Sequence, residues 1–520
     1  MEPTWHSEKT AIHFPNAADG LTAEAIFATA TDHTFDDFNI LPPPIGRPRN
    51  LDLSSQLARG FKINLPIVSS PMDTVTESRT AIHMALNGGI GILHFNLAPD
   101  EAAAQVREVK RYQMGFIFDP CCRKPSQPIS EVARVKMTRG FSTILITEDG
   151  TPGSKLLGMV TRSDVDLEEN PQKPLGEVMT KLQDLQVFSK KEVPTLASAR
   201  DHFRQKRKLN KVPILNEDGT VFALITHDDV VKSAYPIPLV NDNAQLRVGA
   251  AISTFERDRA RTRLLVEAGV DILVIDAAQG ASGFAVDQIQ AVKTAHPGIP
   301  VVAGNVVTPA QAKMLVEAGA DALRVGMGSG SICITREHLG IGRPQASAIF
   351  HVANYARHLK QPIPVIADGG IRRPADIIKA LAFGASTVMV GKYVAGCDEA
   401  PGEVGWNDKH QRVKRYRGMG SISAQRDGGA RRYGDASLNN SVLVPQGEDA
   451  GVAPTGSLDK LLVETAAALR KGLLDDLGVE SIAGLHQAVD AGTLRFTLQS
   501  TSGKVEGGAH DVMTRASNLK

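Results

Sequence analysis

Residues 326–335 read GMGSGSICIT, a run of glycines and hydroxyl side chains around a single cysteine, Cys333. A free cysteine is most often a small buried apolar residue. The other reading is a nucleophile held beside a phosphate cradle. Attack requires the thiolate, and nearby positive charge or aligned backbone N–H groups lower a thiol's pKa. A glycine-rich loop supplies such N–H groups and also suits phosphate. A second polar turn, ADGGIRRP, offers Asp368 and the amides of Gly369 and Gly370. Its carboxylate reads on its own as a turn cap, a common role just after a strand.

The elements that must position these turns follow a repeated phrase. LLVEAGVDILVID (264–276), LVEAGADALRVG (315–326) and ALAFGASTVMVG (380–391) each predict a helix end, a glycine stop and a buried strand, and MALNGGIGILH (84–94) is a looser copy. Glycine ends the helix through a left-handed turn, and the apolar run after it suits a strand covered on both faces. Repeated units of this kind predict an α/β fold, a (β/α)8 TIM barrel, with its chemistry on the loops after the strands. GMGSGSICIT follows ALRV, DAAQG follows ILVI, DGGIRRP follows PVIA and GKYVAG follows TVMV. The candidate residues therefore gather at one end of the expected barrel.

Two stretches break the rhythm. Residues 140–166, GFSTILITEDGTPGSKLLGMVTRSDVD, and 208–231, KLNKVPILNEDGTVFALITHDDVV, share one order: strand, acidic-glycine turn, strand, then Thr-x-x-Asp opening a helix. They predict a tandem repeat inserted into the barrel over residues 115–235, between barrel portions at 1–114 and 236–520. Residues 427–457 are long, polar and glycine-rich, and a loop of that length in a compact domain is usually functional or disordered.

Bulk composition narrows the function classes. At 520 residues the chain exceeds one ordinary domain. Lys+Arg 58 against Asp+Glu 57 gives a net charge of +1, which argues against a dedicated nucleic-acid or anionic-membrane binder. No apolar run approaches the ~20 residues of a membrane helix, and the N-terminus lacks a signal-peptide layout. Four cysteines in so long a chain make no disulfide framework, so free thiols in a reducing, cytoplasmic compartment are expected.

SSPMDTVTES, GNVVT, GMGSGSICIT, ADGGI, EAPGE and YRGMGS stand in the order found in the inosine-5′-monophosphate (IMP) dehydrogenase family, and the chain resembles that family from about residue 20 to 512. The inserted repeat resembles the family's tandem CBS pair, the Bateman module. The resemblance implies that Cys333 attacks C2 of the IMP purine, that hydride passes to NAD, and that a covalent thioimidate is then hydrolysed. Thr335 would help to activate water, with Arg432 and Tyr433 as the dyad of a mobile flap at about 421–457. An ordinary solvated basic turn is the other reading of that dyad. Ser331 would contact the phosphate, Asp368 the ribose, and Gly369, Gly370 and Gly391 would approach the phosphate. Ser70, Met72, Tyr416, Met419, Gly420 and Gln446 would complete the substrate shell. Asp276, Asn305, Arg324 and Gly326 would form the dinucleotide site.

The resemblance also implies a K+ ion held by carbonyl oxygens of Gly328, Gly330 and Cys333 together with Glu506, Gly507 and Gly508 of a neighbouring subunit. That arrangement implies a homotetramer, with an octamer as the larger assembly; a free tail is the alternative reading of residues 504–510. Thr161, Asp164, Thr226 and Asp229 match positions where CBS domains hold adenine or guanine nucleotides. Helix capping is the other reading of the same four residues. Cys121, Cys122 and Cys397 match no family site and read as packing residues.

Three departures qualify the resemblance. Lys392 stands where the family has a phosphate-binding serine, and it would either add a charge contact or point to solvent. The family's DSSQG reads DAAQG, so Ala277 and Ala278 lack two hydroxyls. The stretch VPQGEDAGVAPTGS diverges from the family flap. A GMP reductase sharing the barrel and thiol, or a nucleotide sensor with little turnover, are the competing readings. The flap dyad and the EGG segment favour the dehydrogenase.

Overall fold

The computed structural model describes residues 19–112, 115–139, 142–205, 209–232, 234–256, 258–427 and 443–507. Eight parallel strands close into a barrel: β1 (Ile67–Ser69), β2 (Ile90–Leu93), β3 (Gly249–Ile252), β4 (Ile272–Asp276), β5 (Val301–Val306), β6 (Ala322–Val325), β7 (Val365–Asp368) and β8 (Thr387–Val390). Closure is made by β8 against β1, with Val388, Met389 and Val390 opposite Ile67, Val68 and Ser69. Apart from Asp368, which is half-buried, every residue of these strands is buried, as expected of strands covered by side chains inside and helices outside. The repeated phrase folds as predicted. The helices Asp258–Glu267, Pro309–Glu317 and Pro374–Ala382 are followed within two residues by glycines with φ of +92°, +103° and +101°, and then by β4, β6 and β8.

The N-terminal segment is pinned across the outside of the barrel. Phe38–Leu41 pairs antiparallel with Arg495–Leu498. Phe27, Phe38, Phe350, Phe383 and Phe496 form a chain of ring contacts, including Phe27 stacked on Phe350 at 4.4 Å between centroids and Phe38 against Phe383 at 4.5 Å. Burying such rings is worth about 1.5–3 kcal/mol each. The anchoring brings Thr34–Asp36 to the rim of the barrel mouth.

Between the helix Pro99–Lys110 and β3 the chain leaves the barrel. This is a helix-to-strand connection, so it departs from the end opposite the strand-to-helix loops. The excursion contains two like halves. In the first, Ile144–Thr147 pairs antiparallel with Leu156–Val160 and parallel with Cys122–Arg123. In the second, Lys211–Leu215 pairs antiparallel with Val221–Thr226 and parallel with Phe188–Ser189. The register shifts at the equivalent place in each hairpin, between Ile146 and Thr147 and between Ile214 and Leu215. The two acidic-glycine turns meet, Leu156 N donating to Gly219 O (3.2 Å) and Val221 N to Ser154 O (3.0 Å). Cys122, Leu145, Leu156 and Met159 share a buried cluster with Val221 and Leu224 from the other half.

The polar stretch after residue 442 is more ordered than its composition predicts. Asp449–Val452 is the third strand of a sheet with Arg412–Arg417 and Val404–Trp406. It is largely exposed, so an edge strand with a polar sequence satisfies backbone pairing without needing a core face. Among the described residues no helix is long and apolar enough to cross a membrane.

Candidate active site

The loops after the barrel strands surround one cavity of about 880 Å³. That is toward the upper end of the ~300–1,000 Å³ typical of small-molecule sites. Cys333 and Thr335 line it, as do Ser70, Met72, Ser331, Asp368, Gly369, Gly370, Gly391, Lys392, Tyr416, Met419, Gly420 and Gln446. Asn305, Arg324, Gly326, Ala277 and Ala278 line the same space, with the exposed ring of Phe284.

Cys333 is partly exposed, whereas the other three thiols are buried. Burial pushes the Cys122 thiol up to about 12 and also raises that of Cys397. The Cys333 loop is shaped by several bonds. Its backbone N–H donates to Gly330 O at 3.0 Å, and its Sγ lies 3.1 Å from Thr335 Oγ1. Thr335 is the first residue of the helix Thr335–Leu339, and its hydroxyl is 3.4 Å from Gln446 O and 3.5 Å from Gln446 Oε1. The segment around Gln446 is laced between two loops. Ile334 N donates to Gln446 O (3.1 Å), Gln446 N to Gly420 O (2.9 Å) and Glu448 N to Ile332 O (3.0 Å).

Gly326, immediately after β6, has φ +148°, and any Cβ there would be driven into the carbonyl of Asp368. Only glycine lets the loop leave β6 so close to the end of β7. The same carbonyl accepts from Gln345 Nε2 at 3.1 Å and Ser329 Oγ at 3.3 Å. Gln345 also donates to Val325 O at 2.9 Å, so this buried glutamine ties the Cys333 loop to both strands. Tyr416 sits with its hydroxyl 3.5 Å from Ser331 Oγ. Burial pushes its phenol up to about 12, against the opposing Ser331 hydrogen bond, so it remains a donor at neutral pH.

Behind the wall runs a chain of buried charge. Arg324, 1% exposed, is bonded to Asp276 and, through Nε at 2.9 Å, to Asp368. Asn305 Nδ2 donates to Asp368 Oδ2 (2.9 Å) and to Gly326 O (2.7 Å). Asn305 Oδ1 is buried without a hydrogen-bond partner among the described residues. Asp276 is engaged by Arg324 and does not reach the cavity surface, so its carboxylate is one residue removed from the dinucleotide position that the motif suggests.

Sequence patterns also missed Arg417. It pairs with Asp73 at 2.7 Å and Asp427 at 2.8 Å, and so joins the SSPMD loop to the last described residue before 428. Partners so far apart in sequence leave no local signal.

The remaining candidate residues lie apart. Arg432 and Tyr433 fall outside the described residues, as does Gly508. Glu506 ends the exposed helix Thr501–Glu506, whose Lys504 pairs with Asp37 at 2.5 Å, and a Cβ at Gly507 would touch only Gly503 and Lys504 of its own helix. In the inserted repeat, Thr161 Oγ1 donates to Asp164 Oδ2 and Thr226 Oγ1 to Asp229 Oδ2, each at 2.7 Å. Both pairs cap the turn that follows, so helix capping is realised twice.

Residues 32–510 match the model of the IMP dehydrogenase / GMP reductase domain. The chain is 44% identical to inosine-5′-monophosphate dehydrogenase of Schizosaccharomyces pombe, over 91% of this chain and 90% of that protein. It is 41% identical to the enzyme of the same name from Trypanosoma brucei brucei, over 97% and 98%. Among solved structures, a cysteine-to-alanine variant of GMP reductase from Trypanosoma brucei in complex with guanosine 5′-monophosphate superposes with a TM-score of 0.75. It shares 34% identity over 94% of this chain and 100% of that one. A closed eight-stranded barrel with a thiol loop after its sixth strand, matched over nearly its full length, places the chain in the IMP dehydrogenase/GMP reductase family.

Proposed function

We propose that the protein oxidises inosine 5′-monophosphate to xanthosine 5′-monophosphate with NAD+, in the synthesis of guanine nucleotides. The observation that carries this reading is the position of Cys333, the one thiol that is not buried, on the wall of a nucleotide-sized cavity with the Thr335 hydroxyl 3.1 Å away. The relatives named IMP dehydrogenase, at 38–44% identity, favour oxidation over reduction.

In the proposed reaction Sγ of Cys333 bonds to C2 of the purine and a thioimidate is left on the protein. A dinucleotide held beside Ala277, Ala278 and Asn305 would supply the acceptor for the hydride that leaves C2. Water then adds at C2, the C–S bond breaks, and xanthosine monophosphate, NADH and one proton are the products. Thr335 and Gln446, which are in mutual contact, orient the water. Arg432 and Tyr433 take its proton. Gln345 and Gly326 act indirectly, by fixing the loop that carries the thiol.

The dinucleotide fits the half of the cavity lined by Ala277, Ala278, Phe284 and Asn305. The unpaired Oδ1 of Asn305 is an acceptor suited to a carboxamide N–H. Asp276 supports that half through Arg324. Carbonyl oxygens suit a hard cation, and those of Gly328, Gly330 and Cys333, with Glu506, Gly507 and Gly508 of a neighbouring copy, are the proposed K+ ligands in a tetramer. The twofold repeat at 115–235 is read as a CBS pair that binds adenine or guanine nucleotides near Thr161, Asp164, Thr226 and Asp229. The proposed compartment is the cytoplasm.

The test is NADH formation from IMP and NAD+ in K+ buffer, run beside GMP with NADPH, for the wild type and Cys333→Ala. Cys333-dependent NADH is the expected result. NADPH consumption with GMP would reverse the direction of the reaction, and nucleotide binding without turnover would leave a sensor.

A further inference from the structure

The sheet of Val404–Trp406, Arg412–Arg417 and Asp449–Val452 shares no hydrogen-bonded ladder with the barrel. Tyr416, Met419, Gly420 and Gln446, in or beside that sheet, nevertheless line the same cavity as Ser70 and Met72 on the turn after β1. Packing and side-chain bonds must therefore fix the distance between the two groups. Arg417, 6% exposed, makes the ion pair that joins them.

Arg417 Nε lies 3.2 Å from each carboxylate oxygen of Asp73, and Nη2 lies 2.7 Å from Oδ2. The Arg417 backbone N–H donates to the buried Thr74 hydroxyl at 3.2 Å. Asp73 is also held by Asn96, after β2, whose Nδ2 donates to the same Oδ2 at 2.7 Å. The turn is closed on itself, Thr76 N donating to Met72 O (3.0 Å) and Thr76 Oγ1 to Ser70 O (2.7 Å), so a shift of Asp73 carries Ser70 and Met72 with it. On the sheet side, Gly418 N donates to Glu448 O and Gln446 N to Gly420 O, each at 2.9 Å, which links the place of Arg417 to that of Gln446. The second carboxylate, Asp427, meets Nη1 at 2.8 Å, but its side chain is 61% exposed against 10% for Asp73. Exposed pairs are worth little, so the Asp73 end carries the constraint. Lysine cannot reproduce this planar, two-pronged contact.

We propose that Arg417 is a positioning residue for the reaction: its fork on Asp73 sets the spacing between the turn after β1 and the outlying sheet, and through it the seat of the purine against Cys333. The assignment rests on the reading that a purine nucleotide occupies the cavity. None of these bonds reaches Ala277, Ala278, Phe284 or Asn305, so the half of the cavity assigned to the dinucleotide does not depend on them.

Steady-state kinetics of the full chain, wild type, Arg417→Lys, Asp73→Asn and the double variant, test it. Because small misplacements of reacting groups are costly, kcat/KM for IMP should fall roughly 10- to 100-fold in each single variant, with KM for NAD+ unchanged. Both variants break one link, so the double variant should lose no more than the worse single. Losses that multiply, a matching rise in KM for NAD+, or a lowered melting temperature with normal kinetics would overturn the proposal. Should Arg417→Lys fail to fold, Asn96→Ala keeps the ion pair and frees one side of Asp73. A smaller fall confined to IMP is expected there, and wild-type kinetics would overturn the proposal. Absence of NADH from the wild type would overturn the reading of the reaction by itself. Calorimetric titration of IMP and GMP into the same proteins then decides the positioning, and unchanged affinity in Arg417→Lys would overturn that too.

Discussion

The mouth of the barrel and the inserted repeat both present conspicuous polar residues, and they differ in how those residues are engaged. In the repeat, Thr161 with Asp164 and Thr226 with Asp229 satisfy one another at 2.7 Å and cap the next turn. At the barrel mouth, Asn305 Oδ1, the amides of Gly369 and Gly370, and the Lys392 ammonium have no protein partner among the described residues. Buried polar groups in folded proteins are nearly always hydrogen-bonded. A cluster of unmatched ones around a cavity is therefore a better pointer to a ligand than the residue types alone. The same Thr-x-x-Asp pattern that suggests a nucleotide site also caps the turn that follows it, so the residue types alone do not separate the two roles.

The sharpest contrast between the regions is thiol reactivity. Iodoacetamide at pH 8, followed by peptide mass mapping, should modify Cys333 while Cys121 and Cys122 in the repeat and the buried Cys397 after β8 stay unmodified until the protein is unfolded. IMP should protect Cys333. Equal labelling of Cys122 and Cys333 in the folded protein would erase the distinction.

Next in size is the buried charge chain. Arg324→Met leaves Asp276 and Asp368 facing each other without their shared cation, and removing one member of a buried ion pair costs about 3–5 kcal/mol. Urea unfolding should show a loss of that order in the barrel transition. A loss under about 1 kcal/mol would mean that the chain is hydrated or readily repacked.

The repeat should have its own alkaline limit. Burial holds the Cys122 thiol at about 12 in the folded state, above the ordinary 9.0, so the folded form keeps a proton that the unfolded form releases. Its contribution to stability is complete below pH 9 and is lost as the pH rises toward 12. Cys122→Ala should flatten the fall in unfolding midpoint over that window. An unchanged slope would assign the alkaline loss to other groups.

The smallest effect tests capping. Thr226→Ala should lower the stability of the repeat by about 1 kcal/mol in differential scanning calorimetry, with Thr226→Ser restoring most of it. If Thr226→Ala is neutral, the Thr226–Asp229 bond is not a structural device and the nucleotide reading gains weight.

The barrel was legible because β2, β4, β6 and β8 each follow a helix ended by a glycine. β1 and β3 carry no such phrase. Ile67–Ser69 is three residues long and is preceded by Pro66, so its pairing with β8 and β2 identifies it. Within the site, the motif residues that read as substrate contacts all line one cavity, some at the ends of barrel strands and Tyr416, Met419, Gly420 and Gln446 in or beside the three-stranded sheet that follows β8. The residues that support them were not legible. Gln345, Arg417 and the Asp276–Arg324–Asp368 chain act across tens to hundreds of positions in sequence, and such pairings exist only once the barrel closes. The edge strand Asp449–Val452 was missed for a different reason: pairing with Arg412–Arg417 needs backbone groups, not apolar side chains.

The most direct test of the account is intact-protein mass spectrometry of an acid-quenched mixture of enzyme, IMP and NAD+. The account predicts an adduct of one IMP per chain, less the thiol proton and the departed hydride, localised to Cys333 by peptide mapping and absent from Cys333→Ala. Steady NADH production with no adduct at any time of quench, or an adduct on another residue, would contradict it.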